Sequence, residues 1–447
     1  MTKSKLTKSA LAVGLSFSML IPFGLCASAS AQDVIGTKNY TITNPYATVD
    51  WNTWGHYKAN LHTHSTVSDG NDTFTAVIEA YYAQGYDILA MTDHGVVNKG
   101  WDKVPNTVPL LSYHFLNPFV KPVPLTEERY KEITTGSDRG GRGMTDVPDG
   151  IEMNAAVITK SHVNGFFCGY GQGDWGKEND FVGPIAAVDK LGGLSFINHP
   201  GDWLESANDV SIAKDPKNIK FFADILEKYK SCLGIEVLNE RDNPTANDRV
   251  LWDGLLESVI PTGRNVWGFS NSDSHVMSNI DTEFEYFMMP SNTVANVRTA
   301  MENGTFFACG RYAHRELGDN FTAVGNVPSV TNITVNNTTD QISIQATGYD
   351  KIQWIAKGEI IATGNTIDLN AYESQIGCYV RAQLIGPGGV CFTQAFPVSD
   401  GSTPVQPPQV NWFTQLWDNF VYAVKSTRVF VFVNYLINKD HESHPIV

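Results

Sequence analysis

Two histidines one residue apart, His62 and His64 in Asn60-Leu61-His62-Thr63-His64, open a series of residue types that bind metal ions. Ser68-Asp69-Gly70 follows, then Thr92-Asp93-His94-Gly95, and the series ends in Ser272-Asp273-Ser274-His275. Between them stand Glu152 in Gly150-Ile151-Glu152-Met153, His162 ahead of a glycine- and aromatic-rich run, and His199 in Ile197-Asn198-His199-Pro200. Glu236, in Gly234-Ile235-Glu236-Val237, is the weakest member and reads as an orienting or packing acid. Imidazole and carboxylate are the ligands that zinc, manganese and iron prefer. A carboxylate bridges two cations where an imidazole does not, so a histidine-rich centre needs an acid between its metals. Two cations about 3.5–4 Å apart can share a water and lower its pKa towards 7. They also put positive charge where oxyanion charge develops. The chemistry is metal-assisted hydrolysis. No Gly-x-Ser-x-Gly elbow, Walker loop or catalytic cysteine motif offers a competing route.

Such residues work only if the elements bring them together. In a strand, residues two apart point the same way, so a strand ending in Leu61–Ser65 aims His62 and His64 at one site, and the same spacing applies to Asp273 and His275. His94 closes an apolar run from Tyr86 to Thr92, His199 closes Leu194 to Ile197, and Glu236 lies in another. Helical spacing of apolar residues marks 73–84, 181–191, 219–229 and 250–259 between these runs. Strand–helix alternation predicts an α/β fold with a largely parallel sheet, and barrels of this kind gather such residues at one rim. A lone histidine at a strand end is usually structural, and His-x-His alone is coincidence-prone. The conjunction of all these motifs in one order is what makes a metal site. His56, His114, His314, His441 and His444 have no such context.

From Tyr57 to Arg311 this order of motifs resembles the PHP family, named for polymerases and histidinol phosphatases. The resemblance implies a distorted (β/α)7 TIM-like barrel holding two or three divalent ions (manganese, zinc or iron) at its C-terminal rim. It assigns His62, His64, Glu152 and Asp273 to a first metal, and these four are the catalytic residues. Glu152 then bridges to a second metal completed by His162 and His199, and Asp69, His94 and His275 hold a third. Asp69 stands where some members have histidine and matches the branch that carries Ser-Asp-Gly. The implied reaction is phosphoester hydrolysis by a metal-bound hydroxide on small phosphate esters. Asp273 and its neighbours orient the site, and a histidine or bound water protonates the leaving group. Some secreted relatives resemble carbaryl hydrolase, so carboxylester or carbamate hydrolysis is a second reading. A non-catalytic metal-binding scaffold is a third, opposed by the intact ligand set.

The chain has 447 residues and a formal net charge of −15. Such a length calls for a barrel plus an extra module, and such a charge disfavours gripping a long nucleic acid; a small ester substrate is expected. Lys3, Lys5 and Lys8, an apolar core from Ala10 to Leu25, and Ala29-Ser30-Ala31 read as a signal peptide over 1–31, with Gln32 the mature start and the protein secreted or in the cell envelope. The barrel is expected over 32–319. An insertion at 96–149, rich in proline and glycine, reads as a lid or pocket wall whose Arg139 and Arg142 clamp an anionic substrate group. Arg311 and Arg241 are further candidates for that task. Short alternating runs over 320–400 read as an immunoglobulin-like β-sandwich. A proline-rich linker and an amphipathic helix through Trp412, Trp417 and Phe420 follow in 401–447, docked on the barrel or in contact with a membrane surface. The cysteines do not form a disulfide framework.

Overall fold

The computed structural model describes residues 36, 38–109, 112–113, 121–154, 159–177, 179–402, 416–417 and 420. The expected signal peptide and most of 401–447 lie outside the described residues. Leu416, Trp417 and Phe420 are exposed. Among the described residues no helix is long and apolar enough to cross a membrane.

The fold is mixed α/β. Gly55–Asn60 pairs in parallel with Ile88–Leu89, which pairs in parallel with Thr145–Asp146. On its other edge Gly55–Asn60 is antiparallel to Glu283–Met289, itself antiparallel to Phe306–Gly310. A second sheet runs Ile151–Met153, Val163–Phe166, Leu194–Ile197, Cys232–Leu238, Trp267–Ser270. Its last three strands are parallel, as strand–helix alternation predicts. Its first three are antiparallel. The link from Met153 to Val163 is shorter than the dozen or so residues that a parallel crossover requires, so the chain turns back on itself there.

Helices sit where the apolar spacing places them. Phe74–Ala83 starts on Thr73, whose hydroxyl accepts from Ala76 N, and it buries Phe74, Val77, Ile78, Tyr81 and Tyr82. Val182–Lys190, Pro216–Lys228 and Asp248–Val259 are the other long helices between strands of the second sheet. An aromatic stack of Phe196, Phe269, Phe306 and Phe287 joins the inner faces of the two sheets.

Ladder pairing does not close the two sheets into a barrel. Among the described residues they are linked by single bridges, Thr63 to Ser274 and His94 to Glu152. Side chains replace the ladder at one seam: Leu61 N donates to Asn271 Oδ1 (2.6 Å), and Ser272 N donates to Asn60 Oδ1 (2.9 Å). Both bridges carry or adjoin metal-ligand candidates, so the ligands sit where the sheets meet.

Beyond 320, Ser329–Asn336, Gln341–Thr347 and Thr366–Asp368 make a three-stranded sheet. Lys351–Ala356, Glu359–Thr363, Tyr379–Gly386, Gly389–Phe392 and Phe396–Ser399 extend the first sheet, because Gly389–Phe392 pairs with Phe306–Gly310. Val330, Ile333, Ile342, Trp354, Val380 and Leu384 share one core across these strands. The five described cysteines are free thiols.

Candidate metal centre

Glu152 is the hub. It is buried in the short strand Ile151–Met153, and five imidazoles surround its carboxylate. His62 Nε2, His162 Nδ1 and His199 Nε2 stand 3.2, 3.0 and 3.4 Å from Oε1. His64 Nε2 and His94 Nδ1 stand 3.1 and 3.0 Å from Oε2. Asp273 faces the same histidines, with Oδ1 at 3.2 Å from His62 Nε2 and 3.1 Å from His64 Nε2. Asp69 reaches His94 Nε2 at 3.5 Å and His275 Nε2 at 3.4 Å.

These spacings are compatible with ligand atoms gathered round shared cations. Two ligand atoms each about 2.1 Å from one ion at the tetrahedral angle stand roughly 3.4 Å apart. His62 Nε2, His64 Nε2, His94 Nδ1 and Asp273 Oδ1 are buried yet make no aligned hydrogen bond. Such orphaned groups are costly unless something else satisfies them. Among the described residues, candidate ligand atoms converge in four groups: His62, His64, Glu152 and Asp273; His64, Asp69, His94 and His275; His94, Glu152 and His162; Glu240, Asp273 and His275. The first is the quartet assigned to the first metal by resemblance. In the second, His64 joins the expected trio. His199 touches Glu152 but falls outside the third, where His94 takes a place. Glu240 is an addition that no motif announced.

The electrostatics follow from burial of both signs. Burial opposes charge on Glu152, yet His62, His94 and His162 hold its carboxyl well below the usual range. Burial opposes charge on His62 too, yet Asp273, Glu152 and Glu236 raise it well above an ordinary histidine. Against the same penalty, Glu152 and Asp273 push His199 up to about 10. For His94 burial wins over Glu152 and Asp69, and it falls to about 4. Bound divalent cations would require neutral imidazoles and would take over the balancing of these buried carboxylates.

A second layer holds the ligands. Glu236 Oε1 lies 3.0 Å from His62 Nδ1, and Oε2 accepts from His199 N. This is the orienting role expected of it, and a carboxylate behind a ligating histidine fixes its tautomer and ring. Asn198 Nδ2 donates to Glu152 Oε1 (2.7 Å) and is itself paired with Asn164. His64 Nδ1 lies 3.2 Å from Ser68 Oγ. Asp93 accepts from Ser65 and Ser68, which folds the loop under the first histidine pair. Gly70 is required there: a Cβ would sit 2.8 Å from the backbone of His64 and Ser65. Tyr81, from the first helix, reaches Ser272 Oγ (2.6 Å) and Thr63 Oγ1 (3.2 Å), tying that helix to both ligand loops. Two ligands carry backbone strain, His199 at φ +22° and Asp273 at φ +44°, as functional positions often do.

The expected anion clamp is corrected. Arg139 donates to Tyr82 O, Tyr86 O and Asp87, and Arg142 grips Asp87 with two bonds of 2.6 Å. Asp87 is fully buried ahead of the strand Ile88–Leu89, the end opposite His94. A buried carboxylate there must be paired, and the two arginines pair it. Arg311 is likewise occupied, by Asp281 and Gly325 O. Nor do the described residues of 96–149 line the site. Trp101, Val108, Leu125, Ile133 and Met144 belong to the core. Replacing Arg139 and Arg142 together by alanine is therefore expected to leave the Michaelis constant for an anionic substrate unchanged. Stability should fall by about 2 kcal/mol, from a buried carboxylate stripped of partners, as thermal melts and steady-state kinetics would record.

A cavity of about 610 Å³ opens onto the ligands, walled by Asp202, Asn239, Glu240, Arg241, Asn243, Pro244 and Asn279. Glu240, Arg241 and Asp242 have φ of +44°, +58° and +62°. Three consecutive side-chain-bearing residues in the left-handed region cost about 1 kcal/mol or more each.

No protein-family model matches the chain, and no curated protein matches it. Among solved structures it is similar to a two-domain protein from Bacteroides vulgatus, described as containing a PHP-like metal-dependent phosphoesterase. The identity is 14%, the TM-score 0.40, and the match covers 81% of this chain and 94% of that one. It is also similar to a protein from Bifidobacterium adolescentis described as a metal-dependent phosphoesterase, at 14% identity and TM-score 0.27, covering 49% of this chain and 88% of that one.

Proposed function

We propose that the protein is an exported metal-dependent hydrolase of PHP type, a phosphoesterase for small phosphate esters, built on a distorted barrel with a C-terminal β-sandwich. One observation carries the reading: a single buried carboxylate, Glu152, faces five imidazoles at 3.0–3.4 Å across both of its oxygens. That arrangement suits a bridge between cations and has no other economical use. His62, His64, Glu152 and Asp273 would hold one ion, His162 and His199 with Glu152 a second, and Asp69, His94 and His275 a third. Bound cations, whether manganese, zinc or iron, would supply Lewis-acid activation of water and of the scissile group. The residues of the chain keep the ligands still. Glu236 fixes His62, Asn198 fixes one Glu152 oxygen, and Asp93 fixes the loop carrying Ser65 and Ser68. Pinned ligands need no reorganisation as charge develops.

The test is turnover of matched chromogenic phosphate, carboxylic and carbamate esters by purified protein loaded with manganese, then zinc, with His62→Ala as the blank. Phosphate-selective, metal-dependent turnover is expected. A chelator should abolish it and lower the melting temperature by about 5 °C or more, because cations that bind the native state across the seam stabilise it by mass action. Turnover of carboxylic or carbamate esters alone would move the protein to the carbaryl-hydrolase-like reading. Tightly bound metal with no turnover of any ester would favour a scaffold.

A further inference from the structure

We infer that Arg241 is the substrate-anion residue of this centre, reading the non-bridging oxygens of a phosphate monoester; the inference rests on the phosphoesterase reading. Arg241 walls the cavity that opens onto His94, Glu152, His199 and His275. Its guanidinium is pinned but not used up. Nη2 donates to Ser278 O (2.9 Å), and the ring of Tyr312 lies 5.6 Å from Cζ. The backbone N donates to the buried Glu283 (3.1 Å). Nε is buried, and Nη1 has no acceptor among the described residues. A guanidinium held through Nη2 with Nη1 to spare suits a ligand oxygen. The three other arginines considered for this task are each consumed by an aspartate.

The backbone supports the same reading. Arg241 sits in the middle of the three-residue left-handed run, and an observed run of this kind points to function. Of the neighbouring acids on the wall, Asp202 is paired with Lys160 Nζ (3.2 Å), and Glu240 Oε1 stands 3.8 Å from His275 Nδ1. A monoester keeps three non-bridging oxygens and, at neutral pH, more negative charge than a diester. It offers more to a guanidinium standing opposite the cation ligands.

The experiment compares wild type, Arg241→Met and Arg241→Lys, each metal-loaded and checked for metal content. Inorganic phosphate is titrated calorimetrically. Its inhibition constant is also measured against whichever chromogenic ester the wild type turns over. Arg241→Met is expected to weaken phosphate binding about tenfold or more, with Arg241→Lys in between and metal content equal. The loss of kcat/KM should be larger for a phosphate monoester than for a diester, and should lie mainly in KM. Phosphate affinity within twofold of wild type in Arg241→Met, with metals retained, would overturn the inference while leaving the phosphoesterase intact. If the wild type turns over carboxylic or carbamate esters alone, the phosphoesterase reading fails, and the phosphate titration still decides whether Arg241 is an anion site.

Discussion

Glu152→Gln is expected to lower kcat/KM by at least about 10³-fold, roughly 4 kcal/mol of transition-state stabilisation, and to cost at least one metal ion per chain. The amide has nearly the same volume as the carboxylate, so packing is not the cause. The cause is charge and valence. Both oxygens of Glu152 face imidazole nitrogens, three at Oε1 and two at Oε2. An amide nitrogen placed at either position cannot ligate, and it would meet Asn198 Nδ2 or an imidazole as donor against donor. A comparison makes the claim specific. Glu236→Gln alters a group that stands behind the ligands, facing His62 Nδ1 and accepting from His199 N, Asn239 Nδ2 and Asn271 Nδ2, and loss of such a partner typically weakens metal affinity 10- to 100-fold. Elemental analysis and kinetics on the two variants should therefore rank them, with Glu152→Gln far the worse. If Glu152→Gln kept its metals and activity within tenfold of wild type, Glu152 would not be the bridge.

The ligand set was legible because each member sits in a short apolar motif whose local geometry is nearly self-determined. His62 and His64 flank the single bridge Thr63 to Ser274, and Asp273 and His275 flank its other side. Two residues' spacing on either strand end was therefore enough to bring four ligands together. Spacing says nothing about a partner chosen from far along the chain. Arg139 and Arg142 looked free in a glycine-rich loop, and only the fold reveals Asp87 buried beneath them. Glu240 escaped notice for a related reason, and Arg241 was only one candidate among four: a left-handed turn without glycine leaves no mark in composition. The asparagines are a third case. Asn60 and Asn271 exchange bonds with backbone at the seam, a role that depends on two sheets meeting there. The C-terminal strands show the same limit. Alternation marks Val390–Phe396 as extended, but that Cys391 lies opposite Cys309 is a property of the whole chain.

Arg249→Met should be the most destabilising single change outside the metal ligands, at about 3–5 kcal/mol. Arg249 is 1% exposed and lies in the helix Asp248–Val259, with its guanidinium between two acids. Nη2 donates to Asp242 Oδ2 (2.8 Å) and Glu316 Oε2 (2.7 Å), while Nη1 reaches Val237 O (3.1 Å) and Thr245 O (2.8 Å). Methionine fills the space but leaves two buried carboxylates without their cation. Removing one partner of a buried pair costs far more than the pair contributes net, because the remaining charges stay desolvated. The consequence extends beyond stability. Asp242 is the last residue of the left-handed run that carries Glu240 and Arg241, and it also accepts from His314 N and Thr245 Oγ1. Without Arg249 the strain in that run loses its main restraint, and the turn should relax. Denaturant unfolding would measure the first effect. A raised Michaelis constant for an anionic substrate at 15 °C, well below the melting temperature, with metal content unchanged, would measure the second. Full stability in Arg249→Met would mean that Asp242 and Glu316 are neutral in the folded protein. A large loss of stability with an unchanged Michaelis constant would mean that the turn is held by Glu283, Thr245 and His314 alone.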